Sequence, residues 1–210
     1  MISAMAAVVA YNNDYISGIC GKDVYQWLKY MTAFASVRQY YQLWQSRLCN
    51  WWYWVHIRNA QRTLRAAGYG VFFGDGDPRN TAAPLAGPVQ TNNRAELSAI
   101  KQALETILEE FEFGNGEQYQ ILTDSEYCVK CIFVWSKTWQ KNGWKNSKKQ
   151  PVANRDLIES ILGLIDRINE EYARHGFGTL TVDWVRGHAN NHGNEMADAL
   201  AREGATMERK

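Results

Sequence analysis

The stretch GYGVFFG, residues 68–74, marks the point at which the chain begins to show regular patterning. Its aromatic and β-branched residues favour a strand. The residues that follow, GDGDPRNTAAPLAGP (74–88), contain the Gly and Pro that indicate a hairpin loop. From this strand onward the sequence predicts a folded domain.

Periodic apolar residues predict the remaining elements. Helical spacing predicts helices at about 94–112, 152–173 and 193–205. Strand patterns occur in YQILTDS (119–125) and LTVDWVRGH (180–188). The first of these strands ends at Asp124, and a helix is predicted from about Glu126. This order of elements predicts an α/β fold in which helices pack on a mixed sheet.

Residues 1–66 differ from the rest of the chain in charge. They contain 7 Lys/Arg and 2 Asp, whereas the whole chain of 210 residues has a net charge of +1. The first Glu in the chain is Glu96. We therefore predict an aberrant or unassigned segment at 1–66 and a folded domain at 67–210.

Several classes of protein are disfavoured by the composition. No run of 18 or more apolar residues is present, so no membrane-spanning helix is expected. The beginning of the chain lacks the basic residues and cleavage context of a signal peptide. Cys128 and Cys131 form a CxxC, and His188 and His192 form an HxxxH. Packing of the two Cys on a helix is favoured, and a zinc site is the alternative.

Three carboxylates lie at positions that favour a functional explanation when taken together. Glu96 is in the first turn of a helix, Asp124 ends a strand, and Asp198 is on the last helix, ten residues after His188. Each alone is explained by a helix-terminal charge or a strand-end cap. Together they supply the oxygen ligands that Mg²⁺ prefers, and two such ions can clamp a phosphodiester displacement. A flexible His beside them could shuttle the proton.

A basic segment lies between Glu126 and Asp156, where no Asp or Glu occurs. Its cations are Lys130, Lys137, Lys141, Lys145, Lys148, Lys149 and Arg155, interleaved with Trp135, Trp139 and Trp144. A solvated basic face is the simpler explanation for the lysines. Lysines that neutralise phosphates, beside rings that stack on sugars or bases, explain the whole pattern better.

Four motifs resemble those of ribonuclease H of the cellular type 1 family, in the same order and with the same spacing. They are TNNRAEL (91–97), ILTDSEY (121–127), WSKTWQKNGWKNSKKQPVANRDL (135–157) and RGHANNHGNEMADALAREGA (186–205). With GYGVFFG they span residues 68–205. The resemblance implies a ribonuclease H-like fold, a mixed sheet flanked by helices. It also implies cleavage of the RNA strand of RNA–DNA hybrids with two Mg²⁺ ions, Mn²⁺ being the alternative metal.

The resemblance assigns roles to residues by their position in these motifs. Glu96, Asp124 and Asp198 match metal-binding catalytic carboxylates, and His188 matches a mobile catalytic His. The residues that match hybrid-binding positions are Asn92, Asn93, Asn194, Trp135, Trp139, Lys141, Trp144 and Lys145. The implied partner is an RNA–DNA hybrid, with neither a membrane nor a protein partner. We expect a monomer in the nucleus or cytoplasm, with the mitochondrion as the alternative.

The family's first strand, which is also its central one, normally carries a fourth metal-binding carboxylate. Counting back from Gly70 by the family's interval reaches Trp51–Ile57, where no Asp or Glu occurs. We therefore expect the central strand to be replaced by residues 50–57 or to be lacking. The sequence leaves open whether the Asp is truly lost or the segment is misread from its gene.

The missing carboxylate has a functional consequence. Asp75 and Asp77 lie in the predicted hairpin and are expected to be poor substitutes. We predict that the chain cleaves hybrids poorly or not at all. The alternatives are an active nuclease whose fourth ligand comes from elsewhere and a catalytically silent module that binds the hybrid.

Overall fold

The computed structural model describes residues 5–12, 66–187 and 191–208. All of them belong to one compact unit formed by Met1–Asn13 and Arg65–Lys210. The unit resumes beside the boundary predicted near residue 66, and it also includes residues 5–12, which lie within the predicted unassigned segment. None of the described helices is both long and apolar enough to cross a membrane.

A five-stranded sheet forms the centre of the domain, with the strand order β3-β2-β1-β4-β5. Its strands are β1 Met5–Asn12, β2 Gly68–Phe72, β3 Thr81–Pro84, β4 Tyr119–Thr123 and β5 Thr181–Trp184. The helices among the described residues are α1 Asn92–Glu112, α2 Glu126–Lys130, α3 Ser136–Lys141, α4 Arg155–His175 and α5 His192–Thr206. A π-helical turn, Cys131–Trp135, joins α2 to α3. The predicted α/β architecture is confirmed.

The strand β3 is the second strand of the predicted hairpin, and it lies within the stretch 74–88 that was interpreted as the hairpin loop. The hairpin before it is closed by Asn80, whose Oδ1 accepts a hydrogen bond from the Phe73 N–H at 2.7 Å. The Asn80 Nδ2 in turn donates to the Gly74 carbonyl at 2.6 Å. The last residue of β3 is Pro84, which has no N–H to donate. Because β3 is at the edge of the sheet, the missing donor leaves no neighbouring strand without a hydrogen bond.

The central position of the sheet is held by β1, with the sequence MAAVVAYN, and not by residues 50–57. This strand runs parallel to β2 and antiparallel to β4, so that Val8 pairs with Val71 on one side and with Thr123 on the other. Its Val residues favour a strand. The structure thus corrects the prediction for the central strand, and residues 50–57 lie outside the described residues.

Glycines allow α5 to lie directly on β2. A Cβ added at Gly70 would stand 2.3 Å from the backbone O of Ala197. One added at Gly68 would stand 2.1 Å from the backbone N of Ala205. Any side chain at these two positions would therefore push the helix away from the sheet. The glycines fix the position of α5 and, with it, the carboxylate of Asp198.

The other face of the sheet is covered by α1 and α4. The buried core on this side includes Val71, Leu104, Ile121 and Ile161. Helix α4 is tied to β4 by Tyr172, whose hydroxyl oxygen accepts a hydrogen bond from the Tyr119 N–H at 2.7 Å. Burial raises the pKa of Tyr172 to about 12, which keeps this buried hydroxyl neutral.

Replacing Gly70 by Ala should destabilise the domain strongly. The new Cβ would overlap backbone atoms of α5, which cannot rotate away as a side chain can. We expect the free energy of unfolding to fall by about 3 kcal/mol. The control is Gly163→Ala on α4, where an added Cβ meets no atom within 4 Å and should stabilise the helix by about 0.5–1 kcal/mol. Urea unfolding of both variants measures the difference, and equal stabilities would contradict the proposed packing.

Candidate active site

The structure brings Glu96 and Asp124 together where the first turns of α1 meet the carboxyl end of β4. Their neighbour Ser125 connects the two elements, because its hydroxyl donates a hydrogen bond to Glu96 Oε2. The same side chain caps α2 by accepting a hydrogen bond from the Cys128 N–H at 3.3 Å. The Cys128 Sγ lies 3.7 Å from the same Glu96 oxygen. Two side chains of the α2 turn therefore hold one carboxylate oxygen in place.

The electrostatic environment of Glu96 favours its protonated form. Burial is the largest cause that raises the pKa of Glu96, and the negative charge of Asp124 raises it further. The hydrogen bond from Ser125 has the opposite effect, since it stabilises the carboxylate. A cation beside both carboxylates would offset their repulsion and the cost of burial.

Asp198 reaches the site region from α5 but does not form a third member of this group. It is only 5% exposed, and Arg202, one turn later, has a guanidinium nitrogen 4.0 Å from its Oδ2. Among the described residues, no group of three or more His, Cys, Asp or Glu is placed to hold a metal ion. His188 lies outside the described residues, so its predicted role stays a prediction.

The donor atoms of the two adjacent carboxylates show whether the pair fits a Mg²⁺ ion. Glu96 and Asp124 offer only oxygen donors, which is the ligand type that hard divalent ions require. A Mg²⁺ ion commonly uses one or two carboxylates and keeps several waters. The pair therefore fits one hard cation, and a second would need Asp198 or another ligand to move closer.

The central strand brings no carboxylate to this site. Ala7 pairs with Gly70 of β2, and Val8 pairs with Thr123, the residue before Asp124. No Asp or Glu occurs between Met5 and Asn12. The strand that lies next to Asp124 therefore carries no acid between Met5 and Asn12, and the loss of the family's fourth carboxylate stays a prediction.

The two acids of the hairpin loop have other partners. The Asp77 carboxylate forms an ion pair with Arg79 at 2.6 Å, and this partner lowers the pKa of Asp77. Asp75 lies 2.9 Å from His192 Nε2, at the start of α5. Both acids thus have partners of their own, and the expectation that neither serves as a metal ligand stays a prediction.

The predicted hybrid-binding asparagines have two different environments. Asn92 and Asn93 are exposed at the start of α1, where Thr91 caps the helix by accepting a hydrogen bond from the Arg94 N–H. Asn194 is 2% exposed in the first turn of α5. Neither its amide nitrogen nor its amide oxygen has a hydrogen-bond partner within the described part of the chain. An unsatisfied buried polar group costs about 1–3 kcal/mol, so this amide is available to a ligand or a water.

The tryptophans of the basic segment form a continuous row of rings. The centroids of Trp135 and Trp139 lie 5.7 Å apart, and those of Trp139 and Trp144 lie 6.2 Å apart. Trp144 is only 7% exposed and belongs to the core, and the Arg155 guanidinium lies 5.2 Å from its ring centroid. Trp144 thus presents little surface to a base, which differs from its predicted stacking role. Trp135, at 36% exposed, is the ring best placed for that role.

The lysines of the same segment are directed to solvent. Lys130 forms an ion pair with Glu126 at 2.7 Å. The lysines that are exposed and make no ion pair with a described residue are Lys137, Lys141, Lys145, Lys148 and Lys149. The loop that carries most of them is held by Asn146, whose Oδ1 accepts hydrogen bonds from the N–H groups of Lys148 and Gln150. Unpaired cations on an ordered loop suit a surface that binds phosphates.

The two cysteines of the CxxC pack in the core. Both are buried free thiols. Burial raises the pKa of Cys131 to about 11 and also raises the pKa of Cys128. Because zinc binds thiolates, protonated buried thiols favour the packing explanation over the zinc alternative.

The comparisons with known proteins agree with this geometry. The family model described as RNase H matches residues 58–206. The chain belongs to the RNase H family. The RNase H match covers the carboxylates of α1, β4 and α5 together with the basic segment.

Individual relatives of this RNase H chain cover only part of it. It is 41% identical over 150 residues to a ribonuclease H of Schizosaccharomyces pombe, a match of 71% of the chain and 50% of the relative. It is 36% identical over 146 residues to a ribonuclease H of Saccharomyces cerevisiae, covering 67% of the chain and 40% of the relative. The chain thus spans half or less of the length of these two relatives.

The solved structures give a weaker likeness. The solution structure of the PFV RNase H domain has a TM-score of 0.42 and 24% identity, covering 58% of this chain and 68% of that one. The ribonuclease H-like fold of this chain follows from the family match.

Sequence reasoning missed the residues that surround the carboxylates. Ser125 and Cys128 contact Glu96, and the Trp184 Nε1 donates a hydrogen bond to the Asp124 carbonyl at 3.1 Å. A Ser directly after a strand-ending Asp is a signal for a helix N-cap. The contacts of Cys128 with Glu96 and of Trp184 with Asp124 join distant parts of the chain, and no pattern in the sequence indicated them.

Ser125→Ala should affect both the stability of the RNase H domain and the titration of Glu96. Loss of the cap lowers the free energy of unfolding by about 1 kcal/mol. Loss of the hydrogen bond raises the pKa of Glu96 further. Because the folded pKa lies above the unfolded value, the contribution of Glu96 to stability decreases as pH rises from the unfolded pKa through the folded one. In the variant this decrease should extend to higher pH.

Carbon-13 NMR of the Glu96 carboxyl group and urea unfolding at several pH values measure these effects. The control is Asn191→Ala, which removes the side-chain cap of α5 without touching Glu96. Equal Glu96 titration curves in the two variants would show that Ser125 does not stabilise the carboxylate.

Proposed function

We propose that this chain binds RNA–DNA hybrids and hydrolyses their RNA strand with Mg²⁺, and that hydrolysis is weak because one carboxylate is missing. The observation that carries the proposal is the Glu96–Asp124 pair at the end of β4 in a chain of the RNase H family. The relatives that carry the name ribonuclease H support the same chemistry.

The chain's own residues have separable tasks in this reaction. Glu96 and Asp124 would hold one Mg²⁺ ion, and a second ion would require Asp198 to move closer; such ions, when bound, would activate water and stabilise the leaving oxygen. Ser125 keeps the Glu96 carboxylate oriented by its hydrogen bond. Asn92 and Asn93 lie on the exposed start of α1, where they can contact the minor groove of the hybrid. His188 is assigned to proton transfer and product release.

Weak hydrolysis follows from the composition of β1. Outer-shell changes around a metal already cost roughly 10–100-fold in affinity or activity, and loss of a ligand that touches both ions should cost more. The strand that pairs with β4 beside Asp124 has Ala and Val where a carboxylate would be needed. Binding of the hybrid does not depend on that ligand.

A catalytically silent hybrid-binding module is the second candidate. The absence of a three-residue metal group among the described residues favours it, as do the exposed lysines of the basic segment. A hydrolysis assay separates the two candidates, because only the first predicts residual Mg²⁺-dependent cutting that Asp124→Asn abolishes.

Ala7→Asp should increase hydrolysis. In the register of the sheet, position 7 is the next residue of β1 after the Val8–Thr123 pair, and it lies opposite Gly70, on which α5 packs. The variant would thus carry a carboxylate on the strand that pairs with β4 next to Asp124. We expect at least about a tenfold faster cleavage of a labelled hybrid in Mg²⁺.

The matched control is Ala7→Asn, which has the same shape without the charge. Only the Asp variant should gain activity, and the gain should disappear when Asp124 is also replaced by Asn. Fast cleavage by the unaltered chain, or equal rates for the Asp and Asn variants, would show that a missing carboxylate does not limit the reaction.

Lys141→Ala and Lys145→Ala should weaken binding through the loss of phosphate contacts. Each substitution should lower the slope of log affinity against log salt concentration by about 1. Lys101→Ala is the control, because Lys101 already forms an ion pair with Glu105 on α1. Fluorescence anisotropy with a labelled hybrid over a range of salt concentrations measures the slopes. Unchanged slopes for both lysines of the basic segment would exclude them from the interface.

A further inference from the structure

The segment from Trp184 to Gly187 lies against the end of β4, where two hydrogen bonds hold it. The Trp184 Nε1–H donates to the Asp124 carbonyl at 3.1 Å. The Val185 N–H donates to the Thr123 carbonyl at 2.9 Å. A Cβ added at Gly187 would stand 2.9 Å from the Asp124 Oδ2. The end of β5 therefore runs directly beside the carboxylate.

Two side chains of this segment are exposed. Trp184 is 51% exposed, more than any other Trp in the described part of the chain. The only buried residue of β5 is Val182, so the indole ring of Trp184 contributes little to the core. Arg186 is also exposed and forms no ion pair with a described residue. An ordered, exposed ring and an unpaired cation thus lie two residues apart at the edge of the candidate site.

This pair has the chemistry needed to bind one nucleotide. Aromatic rings bind nucleic acids by packing against their flat or apolar surfaces, and Arg neutralises phosphate. In a duplex the faces of the bases are covered by their neighbours, so the surface available to an exposed ring at the backbone is the sugar. The Nε1 hydrogen bond fixes the orientation of the ring before a ligand arrives, which lowers the entropic cost of binding.

We propose that Trp184 and Arg186 form a nucleotide-binding subsite next to the phosphate that is cleaved. The indole packs against a sugar ring, and the guanidinium contacts a phosphate of the same strand. The subsite rests on the proposed function, because it requires the hybrid to lie over Glu96 and Asp124. It is separate from the basic segment between Glu126 and Asp156.

The test measures binding of a short labelled RNA–DNA hybrid to the full chain in EDTA, so that no strand is cut. Trp184→Ala and Trp184→Leu should each weaken binding about tenfold, without changing the salt dependence. Arg186→Ala should weaken binding and lower the salt slope by about 1. Circular dichroism measures whether each variant is folded. If Trp184→Ala does not fold, Trp184→Leu, which keeps apolar bulk, provides the binding result.

Two exposed residues away from the site serve as matched controls. Phe113→Ala removes an exposed ring, 77% accessible, at the opposite end of α1. Arg174→Ala removes one positive charge near the end of α4. Both should leave hybrid affinity and salt slope unchanged.

The outcomes separate the subsite from the proposed function. If the unaltered chain does not bind the hybrid, the proposed function is overturned and the subsite with it. If the chain binds and a folded Trp184 variant binds equally well, the subsite alone is overturned. A loss of affinity that is the same in Arg186→Ala and Arg174→Ala would reflect net charge only, and would also overturn it.

Discussion

The contact between the backbone of α5 and the sheet is the constraint on which the rest of the domain depends. Gly68 and Gly70 on β2 and Gly204 on α5 bring main-chain atoms to distances that no side chain would permit. At this separation the helix cannot slide or rotate without a steric clash. The orientation of Asp198 and the burial of Asn194 therefore follow from three residues that have no side chains of their own.

Ser125 has a comparable role on the opposite side of the candidate site. Its hydroxyl group both caps the start of α2 and donates a hydrogen bond to Glu96. Helix α2 and the helix that carries Glu96, α1, therefore meet at a single atom. The hydrogen bond lowers the pKa of Glu96, which opposes the increase caused by burial. The start of α2 and the charge state of Glu96 therefore depend on the same hydroxyl group.

Much of the fold could be predicted from the sequence because its patterns are local. The helical spacing around Leu104 and Ile161 and the strand ending at Asp124 predicted α1, α4 and β4 with small shifts at the ends. Helix α4 begins at Arg155 and not near 152, because Val152 donates a hydrogen bond to the Trp144 carbonyl and Asn154 adopts a left-handed conformation.

Features that depend on contacts between distant segments could not be predicted. The central strand Met5–Asn12 has a short run of Ala and Val that no neighbouring turn identifies as a strand, and its partners begin at Gly68. The burial of Trp144 depends on Arg155 and the core around it, whereas its spacing suggested an exposed ring. For the site, the motifs indicated Glu96 and Asp124, but not that Cys128 and Trp184 would contact them.

The parallel pairing of β1 with β2 also has a consequence for the order of folding. Parallel strands cannot be joined by a tight turn, and residues 13–67 separate these two strands in the chain. Closing so large a loop costs conformational entropy before any contact is gained, and such non-local contacts slow folding. The helices and the β2–β3 hairpin can form early, whereas the sheet is completed only when its central strand arrives. Until then, β2 and β4 each expose an open edge, which is a template for pairing with other chains.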